Sequence, residues 1–205
     1  MNGDTESYLE EIISSVLFLS KIDKKAKKGM ASPDDIRIMY HERHSYRKTA
    51  LALEEVRCIE QEVSRALEIF PFEMVQSRCH AVSNAMLINL HRKFGDKIGI
   101  VALTIGDVSY GGEKFFGTSK QYIKRVIAGG DRDKSLLNLH AWLTLSDLTI
   151  VDPTISVSTT LARLSNIEVP KTAKVLVGRQ GDFGGLRYHP MLVDNFFIQR
   201  IGEDQ

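Results

Sequence analysis

The sequence predicts an α+β fold, and three observations support this class. Apolar residues recur at helical spacing through roughly the first 70 residues, strand-forming runs occur only after Pro71, and glycine-containing loops separate those runs. Helices followed by neighbouring antiparallel strands are typical of α+β proteins. The chain has 205 residues and is 43% hydrophobic. We therefore expect a helical region at 1–70, as an extension or a cap of the same domain, and the main core at 71–205.

The first 70 residues carry clear helix signals. Pro33 follows Ser32 and precedes two aspartates, so a hydroxyl N-cap, a proline at the first position and acidic side chains predict a helix start. A second apolar stripe runs from Leu53 to Phe70 and ends at Pro71, which does not continue a helix. The first helix is predicted from a stripe near the N-terminus made of Leu9, Ile12, Ile13, Val16 and Leu17.

Beyond Pro71 the pattern changes to alternating helices and strands. A helix is predicted from about Ser77 to Phe94, with Gly95 at its C-terminal cap. Short helices are expected near 119–128 and 159–165. The predicted strands are residues 97–110, a pair within 137–154, 173–178 and a last one at 196–201.

Charge narrows the class of partner, and cysteine content narrows the cellular compartment. Lys and Arg total 27 against 26 for Asp and Glu, so the net charge of +1 gives no global electrostatic case for nucleic acid or anionic lipid. Two cysteines, Cys58 and Cys79, favour a reducing compartment. No export signal and no apolar run of about 18 residues is found, so we expect a cytoplasmic protein without a membrane partner, although an injected effector would look the same. The oligomeric state stays open.

Three side chains far apart in the sequence form a candidate reactive group. Cys79 falls in the first turn of its predicted helix, where free backbone N–H groups and the positive end of the dipole favour a thiolate. His140 and Asp152 lie in a strand-forming run, where each needs a partner to offset its lost hydration. An imidazole can take the thiol proton and a carboxylate can orient the imidazole. The pattern predicts a nucleophile, a base and an orienting group.

The motifs "HAW" at 140–142 and "VDPT" at 151–154, together with Cys79 at a helix start, resemble the core of the transglutaminase-like branch of the papain-like cysteine enzymes. The resemblance covers about residues 76–154. It implies a nucleophile-bearing helix packed on an antiparallel sheet, with Cys79 as nucleophile, His140 as base, Asp152 as orienting carboxylate and Trp142 packed beside the site. On this resemblance 71–205 is a transglutaminase-like catalytic core.

Members of that superfamily hydrolyse peptide or amide bonds, deamidate glutamine, cross-link it to amines or trim glycans from asparagine. The resemblance therefore implies a cysteine-nucleophile amide hydrolase, a peptidase or glutamine deamidase, that acts on peptide or protein through a Cys-His-Asp triad and a thioester. No metal or cofactor is expected. The alternatives are a transglutaminase-type acyl transfer to an amine and a catalytically inactive binding module of the same fold.

Strand register provides a test of the triad. Residues that face each other across an antiparallel pair share one face of the sheet, so His140 directly opposite Asp152 would centre the turn on Ser146. A two-residue turn at Ser146 and Asp147 would place the two polar side chains on opposite faces. We therefore predict a loop of three or five residues, or a bulge, between the strands.

Two further residues near Cys79, Gln76 and His80, can be assigned expected positions or roles. The backbone N–H of Cys79 is the natural first donor of an oxyanion hole, and the Gln76 amide is a candidate second donor, with helix capping as its alternative. His80 adjoins Cys79 but is expected to point about 100° away around the helix. We therefore expect His80 at the surface or behind the site rather than as the base.

Overall fold

A computed structural model describes residues 3–23, 32–38, 53–129, 137–158 and 174–202. It combines helices with one antiparallel sheet, so the α+β class is confirmed. The helices are α1 (Gly3–Ile22), α2 (Leu53–Leu67), α3 (Phe72–Ser77), α4 (Cys79–Phe94), α5 (Lys120–Ile127) and α6 (Phe197–Ile201), and residues 33–38 are also helical. The strands are β1 (Val101–Tyr110), β2 (Glu113–Lys114), β3 (His140–Leu145), β4 (Ile150–Asp152), β5 (Leu176–Gly178) and β6 (Leu186–Val193).

Strand β1 pairs with three other strands of the described sheet, β2, β3 and β6. Both β3 and β6 pair with Thr104, Ile105 and Gly106 of β1, so they lie on its two opposite edges. β4 and then β5 extend the sheet beyond β3, while β2 forms a short hairpin with the end of β1. All of these pairs are antiparallel, and the resulting order is β6-β1-β3-β4-β5.

Helices cover both faces of this sheet. On one face, Leu103 and Leu143 pack with the apolar sides of α2 and α4. On the other face, Trp142 and Tyr188 pack with α1, whose Tyr8 is among the fully buried side chains. Because both faces are covered, all six residues of β3 are buried. Polar side chains on β3 must therefore find partners inside the protein.

Several local signals in the sequence are confirmed. The hydroxyl of Ser32 accepts the Asp35 N–H at 3.1 Å, and Asp35 in turn accepts the Ser32 N–H at 3.0 Å, so this helix begins where its cap predicts. Gly95 ends α4 with a φ of 51°. The predicted helix at 159–165 lies outside the described residues. Among the described ranges, no helix combines the length and apolar character needed to cross a bilayer.

The prediction for the C-terminal region is wrong. Residues 196–201 were expected to form the last strand, but Phe197–Ile201 is the helix α6. The side chain of Asp194 accepts the Phe196 N–H at 3.0 Å, which satisfies a donor at the helix start. Phe197, Ile198 and Ile201 are buried at helical spacing. A short apolar run of this kind does not by itself distinguish a helix from a strand.

The last strand is β6, which the sequence did not predict. Its buried residues Tyr188, Pro190 and Leu192 alternate with less buried ones, but a proline within such a run argues against a strand. In the structure Pro190 pairs with Gly106, and the register shifts between Ile105 and Gly106. A bulge is a position where a sheet tolerates proline.

Candidate active site

The turn between β3 and β4 decides which face each side chain occupies. Leu143 pairs with Val151, and the Leu145 N–H donates to the Thr149 carbonyl at 2.8 Å. A three-residue turn, 146–148, remains between them, and Leu148 has a φ of 68°. The predicted loop length is confirmed, and left-handed backbone at the last turn position is typical of such loops. His140 and Asp152 therefore share one face.

The predicted centre of that turn is wrong. The observed register centres the turn on Asp147 rather than Ser146, so His140 and Asp152 are diagonal neighbours instead of facing each other directly. Diagonal positions on one face are still within reach of long side chains. The His140 Nε2 and an Asp152 Oδ2 lie 2.6 Å apart, so the pair that the sequence predicted is in hydrogen-bond contact.

Donors surround the Asp152 carboxylate, which is completely buried. Its Oδ2 accepts the Tyr188 hydroxyl at 2.9 Å in addition to His140, and its Oδ1 accepts the backbone N–H groups of Thr154 at 2.9 Å and Ile155 at 3.0 Å. Burial raises the pKa of this carboxyl, but the His140 imidazole and the backbone donors hold the pKa below its ordinary value. The carboxylate is therefore built to stay ionised.

Tyr188 is a site residue that sequence reasoning missed. It lies on β6, where burial and the Asp152 charge raise the pKa of its hydroxyl well above the ordinary value. The hydroxyl thus stays protonated and donates to Asp152. The alternation of Tyr188, Pro190 and Leu192 with less buried residues is typical of a strand, but a proline within the run argues against one.

Cys79 begins α4, and its thiol lies within 3.6 Å of the Leu139 carbonyl. Burial raises the pKa of the thiol, but the hydrogen bonds with the imidazoles of His140 and His80 outweigh burial and bring the pKa down to about 6. Burial lowers the pKa of His140, while Asp152 and the Cys79 sulfur raise it to about 10. Both shifts favour a thiolate and an imidazolium over a neutral thiol and a neutral imidazole.

The two nitrogens of His140 have separate partners. Because Nε2 contacts Asp152, Nδ1 is the nitrogen left to exchange a proton with Cys79. Two aromatic rings stack against the imidazole. The Phe116 ring centroid lies 5.1 Å from that of His140 with an interplanar angle of 11°, and the Trp142 centroid lies 5.9 Å away. Packing against the Phe116 and Trp142 rings therefore fixes the orientation of the imidazole.

Of the two positions expected for His80, at the surface or behind the site, the structure excludes the first. His80 is 1% exposed, and a hydrogen bond with its imidazole is among the causes that lower the pKa of the Cys79 thiol. The reason is α6, which the sequence did not predict: the Phe197 ring packs edge-on against His80 with a centroid distance of 6.4 Å. Cys58, in contrast, is exposed.

Cys79 and His140 open onto a cleft of about 360 Å³, and Asp152 is buried behind His140. Gln76 lines this cleft close to the start of α4, as a second oxyanion donor would. The described residues that line it come from position 73 onward, so no described part of the first 70 residues covers it. Its walls are Glu73, Gln76, Ser77, Cys79, Phe116, Leu137, Asn138, Leu139, His140, Thr154 and Ser158.

The composition of the site indicates acid–base and nucleophilic chemistry. Within the described ranges, no cluster of three or more His, Cys, Asp or Glu side chains is arranged to hold a metal ion. Comparisons of the chain with protein-family models, with curated proteins and with solved structures find no match. The geometry of Cys79, His140 and Asp152 is therefore the basis on which a function is proposed.

Proposed function

We propose that the chain is a cysteine-nucleophile amide hydrolase of the papain-like, transglutaminase-like type, a peptidase or glutamine deamidase that acts on a peptide or protein. One observation carries the proposal: His140 is hydrogen-bonded to Asp152 and lowers the pKa of the Cys79 thiol, and Cys79 and His140 both line a cleft. A structural histidine would not need an acidified thiol beside it. A structural cysteine would not need two imidazoles that lower the pKa of its thiol.

Acylation uses the thiolate–imidazolium pair. The Cys79 sulfur attacks the carbonyl carbon of the substrate amide, and the carbonyl oxygen takes the electron pair. The His140 imidazolium gives its proton to the amide nitrogen, the C–N bond breaks, and an amine leaves, or ammonia where the amide is a glutamine side chain. A thioester remains on Cys79.

Deacylation restores the pair. A water molecule attacks the thioester carbon while His140 takes its proton, the C–S bond breaks, and the carboxylic acid leaves. Asp152 keeps the imidazole oriented and balances its positive charge through both steps. A primary amine that took the place of water would yield a transglutaminase product, so the acceptor decides between the two activities.

The oxyanion is stabilised at the start of α4. Val82 N–H donates to the Arg78 carbonyl at 3.0 Å, which is the first bond of the helical ladder, so the Cys79 N–H precedes that ladder and points out of the helix start. This N–H and the Gln76 amide are the two donors that we assign to the developing negative charge. A donor of this kind contributes about 10²–10³ in rate in characterised enzymes.

Mass spectrometry of peptide substrates tests the proposal. A cell-derived peptide library is incubated with the parent chain, with Cys79→Ala and with the matched control Cys58→Ala, in the presence and absence of a labelled primary amine. We expect cleaved peptides or glutamine converted to glutamate with the parent and the control, and none with Cys79→Ala. The rate should rise through about pH 6 as the thiolate forms and fall toward pH 10 as His140 loses its proton.

The outcomes separate the candidates. Incorporation of the labelled amine in preference to hydrolysis would replace the hydrolase with a transglutaminase. The same products with Cys79→Ala as with the parent would contradict the proposed nucleophile. An absence of any product from the parent, over the whole pH range, would favour a binding module.

A further inference from the structure

Asp107 is a buried carboxylate of β1 that the proposed mechanism does not use. It is 0% exposed. Its Oδ1 accepts the N–H groups of Val108 at 2.8 Å and Phe116 at 3.0 Å, and its Oδ2 accepts the Thr118 N–H at 2.9 Å. Backbone donors to an ionised carboxylate make short, strong hydrogen bonds. The carboxylate thus ties residues 116–118 to β1.

The first consequence of this tie concerns the imidazole. With its backbone held by Asp107, Phe116 stacks on His140 at a centroid distance of 5.1 Å. An aromatic face against an imidazolium favours the charged form and keeps water from that side of the ring. The charged imidazolium is the form that the Cys79 thiolate requires.

The second consequence concerns the sulfur. The Thr118 hydroxyl donates to the Asn138 carbonyl at 2.6 Å, so the tie extends from residues 116–118 to the segment that leads into β3. The next residue in that segment is Leu139, whose carbonyl lies 3.6 Å from the Cys79 sulfur. One buried carboxylate is therefore linked to the surroundings of both the base and the nucleophile.

We propose that Asp107 is a positioning residue of the active site, which holds Phe116 on the His140 imidazole and fixes the segment beside Cys79. This inference depends on the proposed function for its meaning. A carboxylate with no such task would be expensive to bury at this position. Asp107 is absent from the walls of the cleft, so it acts through Phe116 and Thr118 rather than on a substrate.

Alkylation of Cys79 by iodoacetamide, followed by mass spectrometry across a pH series, tests the inference without a substrate. The variants are Asp107→Asn, whose amide replaces one acceptor oxygen with a donor, and Phe116→Leu, which removes the ring but leaves Asp107. The control is Asp147→Asn, a buried carboxylate that accepts the Thr149 N–H at 3.1 Å beyond the other end of β3. Thermal melting of each variant reports whether it is folded.

We expect both variants to raise the pH midpoint of Cys79 alkylation by about one unit, which makes the reaction about tenfold slower below the midpoint. Asp147→Asn should leave the midpoint unchanged. A folded Asp107→Asn with the parent's midpoint would overturn the inference. If Asp107→Asn does not fold, a parent-like midpoint in Phe116→Leu overturns it instead.

The pH dependence of Cys79 alkylation in the parent chain separates this inference from the proposed function. A parent in which Cys79 reacts no faster near neutral pH than the exposed Cys58 would overturn both. A parent with a reactive Cys79 and unaltered variants would overturn only the role of Asp107.

Discussion

At the scale of single residues, the Asp152 carboxylate raises the pKa of two neighbouring side chains, His140 and Tyr188. Its two oxygens accept four hydrogen bonds from His140, Tyr188, Thr154 and Ile155 at 3.0 Å or less. Each donor stabilises the negative charge, and the charge in turn keeps the His140 imidazole protonated. The Tyr188 hydroxyl donates to Asp152 and its raised pKa keeps it protonated, so its removal isolates the cost of an incompletely satisfied carboxylate.

We expect Tyr188→Phe to lower the free energy of unfolding by about 1–3 kcal/mol at neutral pH, because a buried acceptor loses a partner. The lowered pKa of Asp152 contributes stability above the ordinary carboxyl pKa, and this stability is lost as the pH falls through the folded value. The deficit of the variant should therefore shrink in acid. Urea unfolding at several pH values measures it.

The matched control is Tyr110→Phe, since Tyr110 is 49% exposed and its loss of a hydroxyl should change stability by less than about 0.5 kcal/mol. A deficit for Tyr188→Phe that stays constant from neutral to acidic pH would show that the hydroxyl does not act through Asp152.

Among single residues, the sequence predicts the candidate triad better than the residues that pack around it. Cys79, His140 and Asp152 follow from residue type and local placement, at a helix start and in a strand-forming run. Phe116 was not assigned to the site, and His80 was left between the surface and a position behind the site, because their positions depend on which distant elements pack beside them. Tertiary packing of this kind leaves no local pattern in the chain.

At the scale of elements, the bulge between β1 and β6 shapes the sheet next to the site. Gly106 has no side chain where the backbone of β6 comes closest: a Cβ there would lie 2.1 Å from the His189 carbonyl oxygen and 2.9 Å from the Trp142 ring. Trp142 in turn stacks on His140. The strand pairing thus requires a glycine at this position.

We expect Gly106→Ala to lower the free energy of unfolding by about 1–3 kcal/mol or more, because backbone rather than a flexible side chain must move. Thermal melting measures the loss. Gly3→Ala is the control, since a Cβ at Gly3 has nothing within 4 Å and alanine favours a helix. Equal melting temperatures for Gly106→Ala and the parent would contradict the close approach seen at the bulge.

Elements with local signals were predicted well and those without them were not. The start of the helix at Ser32 and the glycine cap at Gly95 each follow from chemistry within a few residues. The odd-numbered turn between β3 and β4 follows instead from the requirement that His140 and Asp152 share one face of the sheet. The helix α6 was misassigned because a short apolar run is ambiguous, and the strand β6 was missed because Pro190 argues against a strand unless it lies at an edge or a bulge. Whether a bulge forms depends on Gly106, far away in the sequence.

At the scale of the whole molecule, α1 belongs to the core rather than to a lid. Its Tyr8 hydroxyl accepts the Trp142 indole N–H at 2.9 Å and lies 2.9 Å from the Thr144 hydroxyl. Thr144 in turn shares a hydrogen bond of 2.8 Å with Thr104 on β1. This buried network joins α1 to two strands, on the face that carries Trp142 and hence beside His140.

We expect deletion of residues 1–23 to abolish cooperative unfolding and the selective alkylation of Cys79, because it exposes the aromatic face of the sheet. Circular dichroism melting and iodoacetamide labelling measure these changes. Tyr8→Phe is the milder comparison and should cost about 1–3 kcal/mol, since the Trp142 N–H loses its acceptor. A truncated chain that folds and reacts faster than the parent would instead show that α1 acts as a cap.

The short β3–β4 turn has a consequence for how the catalyst is assembled. His140 and Asp152 are only 12 residues apart and are joined by one hairpin, whereas Cys79 precedes Leu139, whose carbonyl lies beside its sulfur, by 60 residues and belongs to a separate helix. The His140–Asp152 contact thus depends on nearby sequence, and the position of Cys79 beside it does not. A partly opened chain would hold an aligned imidazole with an ordinary thiol, so we expect the selective alkylation of Cys79 to be the first property lost on opening.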